Sequence, residues 1–193
     1  MPYEDGFRTF FKDIDISNID KTEIGLNGVL VVPATFDVKT LWYEPKEIVY
    51  TIDSITNELR WDFVWDPVFS SYDNRNIVFE NEGHTEAPIR LELDGEITDL
   101  IISILENDEV VKQLNLETLT IESGEKFVYD TRDTNQAIYK IDTNNEIVNL
   151  FEFLSPNFIN FYKLSKGVST IRLEADGEIT SGKIIIYVQY IAV

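Results

Sequence analysis

The chain has 193 residues with 16 basic and 35 acidic side chains, a formal net charge of −19 at pH 7. This length suits one large or two small domains with a real core. Apolar residues at 44% exclude a disordered chain despite the charge. The acidic excess argues against nucleic-acid phosphate and anionic membrane surfaces as partners. No apolar run approaches the roughly 20 residues of a membrane helix, and Met1-Pro2-Tyr3-Glu4-Asp5 lacks the basic and apolar regions of a signal peptide.

The absence of cysteine removes disulfide scaffolds, thiolate zinc sites and cysteine nucleophiles together. The single histidine, His84, excludes multi-histidine metal sites and makes a Ser-His-Asp triad a poor reading. No enzyme activity, catalytic residue, cofactor or metal is expected.

Taken in chain order, short strands alternate with turn signals. Residues 47–52 read as extended. In 58–65, Leu59, Trp61 and Phe63 alternate with Arg60 and Asp62, as on a half-buried strand, until Asp66-Pro67 ends it. Further strands are expected over 76–79, 88–93, 100–105, 126–129, 169–174 and 182–191. The last of these is apolar on both faces and is expected at the centre of a sheet. Asp94-Gly95, Asp176-Gly177 and Glu106-Asn107-Asp108 read as tight hairpin turns, where φ is positive. Over 145–154, Ile147, Leu150, Phe151 and Leu154 have helical spacing that predicts one short helix stopped by Pro156; the alternation of Phe151 and Phe153 fits a strand instead. The fold class is all-β.

Ile89–Thr98 recurs as Ile171–Thr180 with nine of ten positions identical, 82 residues apart. Unmatched flanks exclude a solenoid period. The echo reads either as two similar strand–turn units or as equivalent strands near the two edges of one sandwich. Composition also shifts along the chain. Residues 1–79 hold all three tryptophans and four of the six prolines, and read as a small β-rich region. Residues 80–193 read as one sandwich-sized block.

Paired carboxylates occur by chance among so many acids, so they read as solvated surface. Two Asp-rich runs, 13–20 and 130–135, have calcium-like oxygen chemistry but lack the twelve-residue loop with its glycine and closing glutamate. They read as Asx-rich turns. Trp42 and Tyr43, and Trp61, Phe63 and Trp65 on one strand face, are candidates for core packing, a subunit interface or a sugar platform.

From Trp61 onward the order of motifs resembles the distal tail protein family of siphophages. Trp61–Pro67 is a strand ending in Asp-Pro, Asn81-Glu82-Gly83 is an Asn-x-Gly turn, and Pro88–Gly95 is a Pro-x-Ile-type strand opening the second domain. Asn160–Leu173 is similar to the family's Phe-x-x-Leu-x-x-Gly-x-Asn-x-Ile signature, with Ser169 at the asparagine position. The region before Trp61 is shorter than the family's belt domain. The resemblance implies a galectin-like antiparallel β-sandwich over 80–193, preceded by a belt-like, ring-forming region over 1–79. It implies a structural protein of the virion tail tip or baseplate, in which a homo-oligomeric ring, a hexamer on the family pattern, joins the tail tube to the hub and docks receptor-binding proteins. Trp42, Tyr43, Trp61, Phe63 and Trp65 are then interface candidates. The alternative is a non-catalytic sandwich that binds a host surface glycan.

Overall fold

The computed structural model describes residues 2–5, 8–19, 32, 34–51, 76–156 and 159–191. Its strands are β1 (Pro2–Asp5), β2 (Arg8–Phe11), β3 (Ile14–Ile19), β4 (Ala34–Val38), β5 (Trp42–Thr51), β6 (Asn76–Asn81), β7 (Ile89–Glu106), β8 (Glu109–Ile121), β9 (Lys126–Asp130), β10 (Ala137–Ile141), β11 (Ile147–Asn149) and β12 (Gly167–Tyr190). A single turn of 3₁₀ helix spans Phe151–Phe153. The fold is all-β, as expected, and every pairing is antiparallel.

Two long strands organise it. β7 and β12 pair with one another from Ile89↔Ile186 to Leu105↔Thr170. The first part of β12 also pairs with β6 and its last part with β5. The first part of β7 pairs with β9 and its second part with β8. Each long strand therefore serves two layers, β6-β12-β7-β8 and β1-β2-β5-β12-β7-β9-β10-β11. Strands that pass from one sheet to the next through bulges form the corners of a sandwich.

The bulges also keep apolar side chains on the inside. Ile89, Leu91, Leu93 and Ile97 are buried at odd positions of β7, then Leu100, Ile102 and Ile104 at even ones. The phase changes at Asp99, which has φ 53° beside the register shift between Thr98 and Leu100. β8 changes phase opposite it at Thr118, a β-branched residue at φ 65° whose N–H donates to the Asp99 Oδ1 at 2.6 Å. In β12 the buried positions move from Ile171, Leu173 and Ile179 to Ile184, Ile186 and Val188 across the shift between Ile179 and Ser181. One extra residue inverts the two-residue alternation, so a long strand can bend without turning its core face to water.

This arrangement corrects the turn assignments. Asp94-Gly95 and Asp176-Gly177 are not hairpins but bends inside β7 and β12, although both glycines do have positive φ, 143° and 93°. The two copies of the echo lie at the centre, not the edges, and pair with each other through Gly95↔Ile179, Glu96↔Glu178 and Ile97↔Gly177. Glu106-Asn107-Asp108 is the true hairpin, with Asn107 at φ 51° and Asp108 at φ 66° as a two-residue loop of this hand requires.

The helix expected over 145–154 is replaced by β11 and the 3₁₀ turn. The Asp142 carboxylate accepts from the N–H groups of Asn144 and Glu146, each at 2.8 Å, and folds 142–146 into a turn that lays β11 on β10. Of the expected helical face only Leu150 is buried, while Ile147 and Phe151 are exposed. The expected boundary between residues 79 and 80 falls inside β6, which is bonded to β12. Ser169 points inward with a buried hydroxyl that has no hydrogen-bond partner.

Candidate interaction surface

β3 and β4 form a two-stranded sheet of their own among the described residues. Their register pairs Ile14 with Val38, Ile16 with Phe36 and Ile19 with Ala34, with an irregularity between Ile16 and Asn18. Alternation places these six apolar residues on one face and Asp15, Asn18, Thr35 and Asp37 on the other. Among the described residues no layer covers the apolar face: Ile16, Ile19, Phe36 and Val38 are 51–58% exposed. A two-stranded sheet by itself is marginal in water, which makes the apolar face of this arm the candidate contact surface.

The root of the arm is firmly tied. The Lys39 N–H donates to the Asp13 carbonyl at 2.9 Å, the Asp13 N–H to the Thr40 Oγ1 at 2.9 Å, and the Tyr43 hydroxyl to the Asp13 Oδ1 at 3.0 Å. Between root and sandwich lies a cleft of about 400 Å³ lined by Val38, Leu41, Tyr43, Pro88, Arg132 and Tyr187 among others. A sugar platform needs an open ring face. Here the Tyr43 ring stacks on Phe11, with centroids 5.9 Å apart, and meets Tyr187 edge-on at 5.6 Å. Tyr187 is only 8% exposed, and the Arg132 guanidinium lies 4.7 Å from its ring centroid.

The expected site residues separate. Trp42 and Tyr43 are neighbours on β5 and so face opposite sides; half-buried Trp42 packs on the core with the Lys12 ammonium 5.2 Å from its ring, and Tyr43 faces the cleft. Trp61, Phe63 and Trp65 lie outside the described residues. In the run 130–135, the buried Asp130 carboxylate is held in a bidentate pair by Arg132, closest approach 2.6 Å, and Asp133 pairs with Lys163 at 2.7 Å. Arg132 and Lys163 are thus the cations that face the two carboxylates of this run. The run 13–20 is not an Asx-rich turn over its described part: Asp13 forms the arm root and Ile14–Ile19 is β3, while Asp20 lies outside the described residues. Its Ile14-Asp15-Ile16 alternation, matched by Thr35-Phe36-Asp37-Val38, is the signal that reveals the arm. His84 is structural: its Nδ1 accepts from the Ile191 N–H at 3.2 Å and its ring meets Tyr190.

Burial, and then the bond to Asp13, push the Tyr43 phenol up to about 12. Burial raises Tyr129 as well. An unfolded tyrosine ionises near pH 10. Between about pH 10 and 12 the unfolded chain has thus lost protons that the folded chain keeps, and stability must fall as pH rises. Ultraviolet titration should show these two phenols ionising late, and Tyr43→Phe should flatten the alkaline loss of stability. Ionisation of every tyrosine near pH 10 in the folded protein would contradict this burial.

Together these elements define an antiparallel β-sandwich protein with a separate amphipathic two-stranded sheet, β3-β4. Its fold is similar to that of a chain in the structure of the phage P2 baseplate in its activated conformation with Ca, with a TM-score of 0.66 and 14% identity over 100% of this chain and 68% of that one. A chain of the same baseplate with Sr gives the same values. The SPP1 Dit (gp 19.1) protein, described as a paradigm of the hub adsorption apparatus in phages infecting Gram-positive bacteria, matches with a TM-score of 0.49 and 15% identity over 95% of this chain and 60% of that one. No family model and no curated protein matches the sequence.

Proposed function

We propose that the protein is a structural component of a phage tail tip, forming a ring that joins the tail tube to the tip and docks receptor-binding proteins on its outside. The observation that carries this reading is the likeness of fold to a phage P2 baseplate chain over 100% of the length. The motif order from Trp61 to Leu173 supports it independently of the coordinates. The arm supplies the mechanics. An apolar face on one part of a chain, bound to a different surface on the next copy, is a heterologous contact that closes into a ring when its rotation allows. The charge of −19 suits a channel for DNA, because an acidic lining repels phosphate and lets the duplex slide without sticking. Within residues 1–79 the arm acts as the ring-forming part, while β5 and β6 pair with β12 and belong with 80–193 to the sandwich.

Absolute mass by light scattering across a concentration series tests the proposal. A closed assembly of roughly six copies of the 22.3 kDa chain is expected, with a central channel on imaging. A monomer at every concentration would overturn self-assembly of the ring.

A further inference from the structure

We infer that the β11 end of the sandwich is the docking surface for a different polypeptide, an extended basic segment with apolar side chains between its positive charges. The inference rests on the docking part of the reading above and is independent of ring closure. β11 presents Ile147, 71% exposed, and Val148, 40% exposed, and the 3₁₀ turn after it adds Phe151, 46% exposed. Packed rings back the turn. Phe151 meets Phe161 at 6.0 Å between centroids, and Phe161 stacks on the buried Tyr129 at 5.8 Å and 10°. The Tyr129 hydroxyl donates to the Asn160 carbonyl at 2.7 Å and accepts from the Tyr162 N–H at 3.0 Å, which fixes this support. The backbone of β11 is open as well. Among the described residues it ends the sheet and pairs only with β10. The Glu146 carbonyl accepts from the Asp142 N–H at 2.9 Å, and the Leu150 N–H donates to the Ile138 carbonyl at 3.1 Å. The alternation of an antiparallel ladder then turns the N–H and C=O groups of Ile147 and Asn149 outward, where an added strand can bond them.

Charge selects the partner. Residues 142–159 contain Asp142, Glu146 and Glu152 and no lysine, arginine or histidine. The nearest cations along the chain are engaged elsewhere, Lys140 with Glu125 at 2.8 Å and Lys163 with Asp133 at 2.7 Å. Glu146 and Glu152 are exposed, and neither forms an ion pair among the described residues. An apolar strip rimmed by carboxylates fits a segment that alternates apolar and basic side chains. A second copy is a poor source of such a segment. The chain has 16 basic against 35 acidic side chains, and most of its described lysines and arginines already face carboxylates of their own chain.

The probe is a fluorescein-labelled Lys-Val-Lys-Val-Lys-Val peptide added to the full chain. It should bind and slow hydrogen exchange at the amides of Ile147 and Asn149, whereas a Glu-Val-Glu-Val-Glu-Val peptide should do neither. The double variant Ile147→Thr, Phe151→Ser leaves the net charge unchanged and should weaken binding about tenfold. The pair Glu146→Gln, Glu152→Gln should weaken it to a similar extent, about tenfold. The pair Glu109→Gln, Glu174→Gln removes two exposed carboxylates from β8 and β12 and should leave binding unchanged. Equal weakening by the two glutamine pairs would mean a general attraction to an acidic protein and would overturn the inference. Absence of binding, or slowed exchange only away from β11, would overturn it too. So would conversion of an assembly to monomer by Ile147→Thr, Phe151→Ser without peptide, because the face would then be a contact between copies. A monomer that binds the basic peptide at β11 would end the ring reading and leave this inference standing.

Discussion

Gly177→Val is expected to destabilise the protein by about 3 kcal/mol or more, lowering its melting temperature by roughly 6–12 °C for a chain of this length. Two costs combine. Gly177 has φ 93°, which a β-branched residue adopts only under strain. A β-carbon there would also overlap the Glu96 carbonyl oxygen on the paired strand, and that oxygen belongs to backbone rather than to a side chain that could swing away. The overlap sits where the two halves of the echo cross, so relief would mean separating β7 from β12. Two comparisons isolate the terms. Gly95→Val, at φ 143°, should cost about 1–2 kcal/mol from backbone conformation. Gly124→Ala, at φ 88° with only an ordinary 3.5 Å contact to the Thr143 Cγ2, should cost about 1 kcal/mol. Equal melting temperatures for Gly177→Val and Gly124→Ala would mean that the strands do not cross at this glycine.

Asn81→Ala should cost about 3 kcal/mol in urea unfolding. The Asn81 side chain is 1% exposed and joins three segments. Its Nδ2 donates to the carbonyls of Thr85 at 2.9 Å, Ser165 at 3.2 Å and Leu164 at 3.3 Å, while its Oδ1 accepts from the Gly83 N–H at 3.0 Å. Alanine would take this donor from the half-buried carbonyls of Thr85 and Ser165 and the acceptor from the buried Gly83 N–H, while the Leu164 carbonyl keeps the Ala87 N–H, and the cost of unpaired groups exceeds the net worth of the bonds themselves. Asn81→Asp should be as harmful, because a carboxylate would face carbonyls that need a donor. The readout is local as well as global. Amides of Ala87 and Leu164, which bond each other's carbonyls at 2.8 Å beside this clamp, should lose protection from hydrogen exchange. Full protection in Asn81→Ala would show that the amide is dispensable. The same site explains the glycine of the Asn-x-Gly motif, since a β-carbon at Gly83 would come within 2.6 Å of the Gln189 carbonyl.

Much of the architecture was legible in the residues. Apolar and β-branched runs between turn signals identified the strands around Leu91, Ile102, Ile171 and Ile186. Asn107-Asp108 declared a hairpin because only a few residues tolerate two successive positive φ values. The glycines of the echo declared positive φ in the same way, and the order of motifs pointed to the class of fold found. The arm was not legible in this way: the run 13–20 reads as an Asx-rich turn, and no strand is expected over 34–38, whereas the structure forms β3 and β4 there.

Tertiary structure decided the rest. Whether a chain turns back at Gly95 and Gly177 or bends and continues depends on which strand lies opposite, and the partners, Ile179 and Ile97, belong to the other long strand, far away in the chain. Ile147, Leu150, Phe151 and Leu154 suit a helix by spacing alone, but the Asp142 turn and the neighbouring β10 capture the segment as strand and 3₁₀ turn. Asp130 is a carboxylate in the sequence and an arginine clamp only once Arg132 folds back over Tyr187. Alternation shows that Ile16, Phe36 and Val38 share a face, whereas their exposure follows from the absence of any described layer packed upon them. Local pattern specifies the apolar side of each element; which surface covers that side is a non-local property, set by packing among elements far apart in the chain.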